Sequence, residues 1–324
     1  MPSVETVNGP LDVEQLGRTL IHEHFRPTDE ASRLQFPHLY DEEAEWEAAI
    51  ADANAVRSHG VATVVEPSAL FLHRDAAFSR RVADESGLNV VLATGMYTYD
   101  HLPQVFLNRS EDQLAEVFVH EIEHGIQDTG VKPALIKCAA DEPGLTPNVQ
   151  KVHRAAARAS RQTGLPIMAH SRPASGTGPQ QMEIFTEEGV APDKVQVAHT
   201  GDTDDLDYIE RLLDTGCWIG MDRYGLDIFL PTEQRNATVL ALLERGYADR
   251  MFLAQDYCST IDWFPREVQE YLKAQEVPKW SMTFLFEEVI PELEQRGMTA
   301  DQLDQMMVEN PKRWLGSRGS AGVV

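Results

Sequence analysis

Cysteine is scarce: Cys138, Cys217 and Cys258 are the only three in 324 residues, far apart and odd in number. That excludes a disulfide framework. Without paired spacing it also excludes a structural zinc knot, and it points to reduced thiols in a cytoplasmic protein. Basic residues are few as well, 28 Lys and Arg against 52 Asp and Glu, for a formal net charge of -24. Such a field repels phosphate backbones and anionic headgroups, which argues against nucleic acid and membrane surfaces as partners. It leaves small neutral substrates open. No apolar run reaches the ~18 residues needed to span a bilayer. The start, MPSVETVNGPLD, has neither a basic n-region nor an apolar h-region, so no signal peptide is expected. Linkers, low-complexity tracts and repeats are also missing, and residues 1–324 read as one large domain.

What is present is a regular alternation. Short β-rich, mostly continuous apolar runs occur at 18–24, 61–68, 89–97, 132–140, 166–171, 195–201, 217–225 and 250–257. A helical pattern follows each. In the first, Trp46, Ile50, Ala53 and Val56 recur at helical spacing. The others lie near 74–86, 111–127, 148–163, 179–189, 204–215, 233–246 and 281–296. Glycine repeatedly follows the last turn, at Gly87, Gly130 and Gly164 among others. Eight strand–helix units imply parallel strands with right-handed crossovers, and eight is the number that closes a (β/α)8 TIM barrel. An open doubly wound sheet rarely runs to so many regular units. A final segment, TADQLDQMMVENPKRWLG, is placed to cap the barrel.

Active-site groups of such a barrel come from the C-terminal ends of its strands. The pattern puts His22 and His24 on strand 1, Lys137 on strand 4, His170 on strand 5, His199 on strand 6 and Asp256 on strand 8. Any one histidine alone reads as a hydrogen-bonded core or surface residue. Four of the eleven in register on strand ends, with Asp256, read as a metal site. Side chains alternate along a strand, so His22 and His24 share the inner face and Glu23 turns away. Neutral imidazole and carboxylate suit zinc, cobalt, manganese or iron. Lys137 lies in the apolar stretch ALIKCAA, where a free ammonium is expensive. A neutral lysine can take up CO2 to form a carbamate, an anionic ligand able to bridge two metals. Cys138, one residue on, should face outward and pack.

The stretches LGRTLIHEH, ATGMYTY, ALIKCAA, PIMAHS, VAHTGD, WIGMDRYG and DYCSTIDWF cover nearly the whole chain. Together they resemble the phosphotriesterase family of the amidohydrolase superfamily, and within it the phosphotriesterase-like lactonases. The resemblance implies a metal-dependent hydrolase with a binuclear centre. His22, His24 and Asp256 would hold the inner ion and His170 and His199 the outer one. Carboxylated Lys137 and a hydroxide would bridge them. It also implies that Tyr97 and Arg223 line the substrate site, and that the chain is a homodimer. Two positions depart from the family pattern: Gln255 stands where a histidine is frequent, and Glu66 where an aspartate is usual.

A second motif competes. HEIEH, His120 to His124, fits the zinc-protease pattern, but it falls opposite the apolar stripe of its helix, so an exposed barrel helix explains it better. The expected chemistry is hydroxide attack on a lactone carbonyl. Asp256 takes the proton and passes it to the leaving alkoxide, and Tyr97 and Arg223 contact the substrate. N-acyl-homoserine lactones are the expected substrates, in a quorum-quenching role. Ile261, Trp263, Phe264 and Trp280, in the loop after strand 8, would form an acyl channel or a subunit contact. The alternatives are an organophosphate triester hydrolase, another amidohydrolase such as an amidase, and a non-enzymatic binder on a degenerate barrel. The complete ligand set disfavours the last.

Overall fold

The computed structural model describes residues 2–72 and 74–317. Its centre is a single eight-stranded parallel sheet in which the strands pair in chain order. They are β1 (Thr19–Leu20), β2 (Thr63–Glu66), β3 (Asn89–Gly95), β4 (Leu135–Ala139), β5 (Ile167–His170), β6 (Val195–Ala198), β7 (Trp218–Met221) and β8 (Met251–Leu253). The register aligns Thr19 with Thr63, Lys137 with Met168 and His170 with Ala198. The ring closes beyond the ends of β1 and β8. A parallel bridge joins His24 to Cys258, the His24 N–H donates to the Tyr257 carbonyl at 2.7 Å, and the Asp256 N–H donates to the His22 carbonyl at 3.0 Å. All eight expected strands are there, and the fold is the (β/α)8 barrel.

The helices between strands form where their ends can be satisfied. Asp41 and Thr146 cap Glu42–Ser58 and Pro147–Thr163, each accepting from a first-turn N–H, while Ser110 and Gln113 form a reciprocal capping box on Glu111–His124. Strand alternation sorts the core into two layers. Inward residues such as Leu135, Met168, Trp218 and Phe252 form the barrel interior, and Trp314 and Leu315 from the helix Asn310–Leu315 join them as its floor. Outward residues, Cys138 among them, pack under the helices. No helix among the described residues is long and apolar enough to cross a membrane.

Several local expectations are corrected. Strand β1 stops at Leu20, β6 at Ala198 and β8 at Leu253, so His22, His24, His199 and Asp256 stand just past the strands rather than on them. The left-handed backbone at Asp256 (φ 51°) breaks the extended run. The third barrel helix ends at His124, and Gly125 closes it; Gly130 belongs to the turn leading into β4. An N-terminal hairpin, Ser3–Thr6 with Gly9–Asp12, lay hidden because its strands, SVET and GPLD, carry no continuous apolar run. The loops after β1 and β8 carry the unexpected helices Glu30–Gln35 and Arg266–Gln275.

Candidate active site

All six candidate ligands converge at the mouth of the barrel. Asp256 is central: its Oδ1 lies 3.3 Å from His22 Nε2 and 3.2 Å from His24 Nε2, and its Oδ2 lies 3.8 Å from His199 Nε2. His199 Nε2 is in turn 3.0 Å from His170 Nδ1, and Lys137 Nζ is 3.0 Å from His22 Nε2. Ligand atoms of His22, His199 and Asp256 all fall within 4.8 Å of one another. The four histidines and Lys137 are almost wholly buried.

Backbone shape delivers these groups. His199 has a left-handed conformation (φ 62°) directly after β6, as does Asp256 after β8. Two non-glycine residues in that sparsely populated region at one site are held there by their surroundings. Gly95, ending β3, is required for a different reason. A Cβ there would sit 2.0 Å from the Lys137 carbonyl oxygen, the same oxygen that accepts the Met96 N–H at 2.9 Å. That close approach brings Tyr97 over the cluster.

Each histidine has one nitrogen facing the cluster and one held from behind by an acid. His22 Nδ1 lies 2.9 Å from Asp222 Oδ2, and His199 Nδ1 lies 3.1 Å from Asp222 Oδ1. His24 Nδ1 meets Glu66 at 3.0 Å and Ser68 at 2.8 Å. His170 presents the opposite nitrogen: its Nε2 donates to Asp141 at 2.6 Å, leaving Nδ1 inward. A carboxylate accepts, so the outer nitrogens carry the protons and the inner ones carry lone pairs. Two bare imidazole nitrogens 3.0 Å apart repel unless a cation lies between them. Nitrogen and carboxylate donors in this number fit divalent transition metals, so the residues present suit the group that the resemblance implies.

Electrostatics agree. Burial, reinforced by Lys137, pulls His22 down to about 4, and burial brings Lys137 down to about 8. Burial alone would raise Asp256, but His22, His199, His24 and Arg223 hold its carboxylate well below the usual range. Burial would lower His24, but the Asp256 and Glu66 carboxylates beside it outweigh burial and raise it.

Arg223 donates from Nε to Asp256 and from Nη1 to Asp202, each at 2.9 Å. The Tyr97 hydroxyl lies 2.7 Å from that of Tyr99 and 3.2 Å from His170 Nδ1. Both Tyr97 and Arg223 border a cavity of about 350 Å³ above the cluster, whose other walls include Leu72, Leu226, Phe229 and Trp263. A larger cleft of about 630 Å³ lies between the loops after β1 and β8 and touches none of the six.

Glu23 does turn away, and its carboxylate accepts the N–H groups of Gln255 and Tyr257 at 2.8 and 2.9 Å, gripping the backbone on either side of Asp256. Gln255 leaves the cavity altogether; its amide reaches the Met282 carbonyl. His120 and His124 are exposed on their helix, as expected of a surface motif. Sequence reading missed Asp222, Asp141, Ser68 and Tyr99. Asp222 sits one residue from Arg223 in a quoted stretch, but a carboxylate that orients two histidines from behind has no spacing signature. The other three lie on loops whose course the sequence does not show.

Comparison with known proteins agrees with this fold. Residues 2–315 match the model of the phosphotriesterase family. The chain is 45% identical to a Saccharolobus solfataricus protein named aryldialkylphosphatase, over 94% of this chain and 96% of that one. It is 40% identical to a phosphotriesterase homology protein of Mycobacterium tuberculosis, over 98% and 99%. The solved structure of the phosphotriesterase from Mycobacterium tuberculosis superposes with a TM-score of 0.93 at 39% identity, covering 98% of this chain and 99% of that one. The chain therefore belongs to the phosphotriesterase family, whose members are metal-dependent hydrolases.

Proposed function

We propose that this protein is a binuclear metal-dependent lactonase acting best on N-acyl-homoserine lactones. One observation carries the reading: a buried cluster of four histidines, an aspartate and a lysine lies under a cavity walled by Leu72, Leu226, Phe229 and Trp263, a lining suited to an acyl chain. His22, His24 and Asp256 would hold one ion, and His170 and His199 the other, with carboxylated Lys137 shared between them. Bound there, two divalent ions, zinc before cobalt, manganese or iron, supply hydroxide at neutral pH and Lewis-acid polarisation of a carbonyl or phosphoryl oxygen.

The chain's own residues do the rest. Acids behind the histidines keep the inner nitrogens free to ligate. Burial makes a neutral Lys137 accessible, as carbamate formation requires. Asp256 stays ionised throughout the neutral range and offers Oδ1 and Oδ2 as proton acceptors at the cavity base. Arg223 fixes that carboxylate, and the Tyr97 hydroxyl stands over His170 to meet the ester or leaving oxygen.

Phosphotriester hydrolysis is the second reading, favoured by the name of the Saccharolobus solfataricus relative; the same donors serve a phosphoryl oxygen. We also propose a cytoplasmic homodimer. Unpaired cysteines support the compartment, and exposed Phe36, Trp263 and Phe264 near the mouth support a subunit contact, which sedimentation at micromolar concentration would test. The deciding experiment measures metal content and then kcat/KM on an acyl-homoserine lactone series and an organophosphate triester. About two ions per chain and a preference for lactones are expected. A triester preferred by orders of magnitude would reverse the order of the two readings, and a chain without stoichiometric metal would remove both.

A further inference from the structure

The four histidines are not backed alike. Asp222, behind His22 and His199, is fully buried, and Glu66, behind His24, is nearly so. Asp141, behind His170, has 16% of its side chain exposed. It lies in the loop after β4. Its Oδ2 accepts the His170 Nε2 proton at 2.6 Å, and its Oδ1 accepts from the Glu142 N–H at 2.7 Å and from Arg172 Nη1 at 3.2 Å. Arg172 is half-buried, in the segment right after β5, two residues from the histidine it indirectly braces.

This arrangement has a consequence for the ligand atom. His170 is the one histidine of the four that turns Nδ1 to the cluster. An imidazole free to rotate or to change tautomer could offer either nitrogen. Behind the ring, the choice is enforced by the short bond from Nε2 to Asp141, which sits on a loop rather than in the barrel wall, while the Tyr97 hydroxyl meets Nδ1 on the inner side. The loop backbone is itself turned by the same residue, since the Gly144 N–H returns to the Asp141 carbonyl at 2.8 Å. We propose that Asp141, braced by Arg172, is the positioning residue for the metal at His170: it fixes that histidine as an Nδ1 ligand and governs how tightly this one ion of the pair is held. The inference rests on the binuclear reading above. It assigns to the loop after β4 a control over one ion that Asp222, shared by His22 and His199, cannot exert separately.

Zinc titration of the metal-stripped chain, with competition by a chromophoric chelator, reads the two affinities. Asp141→Asn keeps the size of the side chain but loses the charge, and should weaken one zinc by ~10–100-fold while leaving the other unchanged. Arg172→Ala should weaken the same zinc by less than Asp141→Asn does. In the zinc-loaded wild type, 15N-histidine NMR should find His170 protonated at Nε2 with a hydrogen-bonded proton. That measurement decides the matter even if a variant fails to fold. Equal affinities in Asp141→Asn and wild type, a larger loss in Arg172→Ala, or a His170 protonated at Nδ1 would each overturn the inference. A wild type that takes up no stoichiometric zinc would instead overturn the binuclear reading, and this inference with it.

Discussion

Met168 and His170 stand two residues apart on β5, both facing the barrel axis, in opposite surroundings. Met168 belongs to the interior layer with Leu135, Trp218, Phe252 and Trp314. His170 belongs to a cluster of polar side chains, with Asp141 on one ring nitrogen and His199 facing the other. Lys137 marks the border, with Nζ 3.2 Å from Met168 Sδ and 3.0 Å from His22 Nε2. The floor is held by shape and apolar burial, which are indifferent to protons and ions. The mouth is held by pairing, because buried charge without a partner is costly. The same strands therefore serve stability at one end and chemistry at the other.

The comparison can be broken at either end. Trp314→Ala empties the floor at a fully buried indole and should cost about 3–5 kcal/mol in chemical denaturation, with metal content unchanged. Asp222→Asn, at the mouth, strips the charge from behind His22 and His199 together. It should weaken both ions by ~10–100-fold, read as metal retained after dialysis against chelator. Metal lost from Trp314→Ala but kept by Asp222→Asn would show that the two ends are not separate.

A pH series sharpens the same contrast outside the site. His153 is buried in the helix Pro147–Thr163, and burial draws it down to about 4. The unfolded chain takes up that proton near 6.5 and the folded chain only near 4, so the unfolded state binds more protons between those values. Stability should be complete above about pH 6.5 and decline towards pH 4, by up to about 1.4 kcal/mol per pH unit for this residue. His153→Gln should flatten the decline, measured by urea unfolding at pH 7 and pH 5. An unchanged slope would assign the acid sensitivity to the mouth alone, where His22 in the metal-free chain is shifted alike.

The smallest effect concerns the rim. Trp263 is 53% exposed at the cavity edge, and Trp263→Ser should lower kcat/KM on long-chain lactones several-fold more than on short-chain ones, a difference of about 1 kcal/mol or less. Equal losses across chain lengths would deny the acyl channel.

Much of the site is legible in the chain. The spacing of His22 and His24 alone predicts a shared inner face and a Glu23 turned outward, because alternation is a local property of extended backbone. That holds although β1 proper ends at Leu20. Lys137 inward and Cys138 outward follow from the same rule. The helices within the loops after β1 and β8 were not legible, since short helices such as Glu30–Gln35 and Arg266–Gln275 owe their existence to contacts with distant loops. The bond from the Asp29 N–H to Asp262, across 233 residues, is one such contact.

The sequence by itself determined the alternation of eight strands and helices, the barrel, and the identity of the residues offered at its mouth, because hydrophobic periodicity and residue type are local. Only the tertiary structure decided which nitrogen of each histidine faces the cluster. That choice belongs to Asp222, Glu66 and Asp141, whose carboxylates arrive from strands and loops 23 to 200 residues away from their histidines, and no local rule of the chain encodes their meeting.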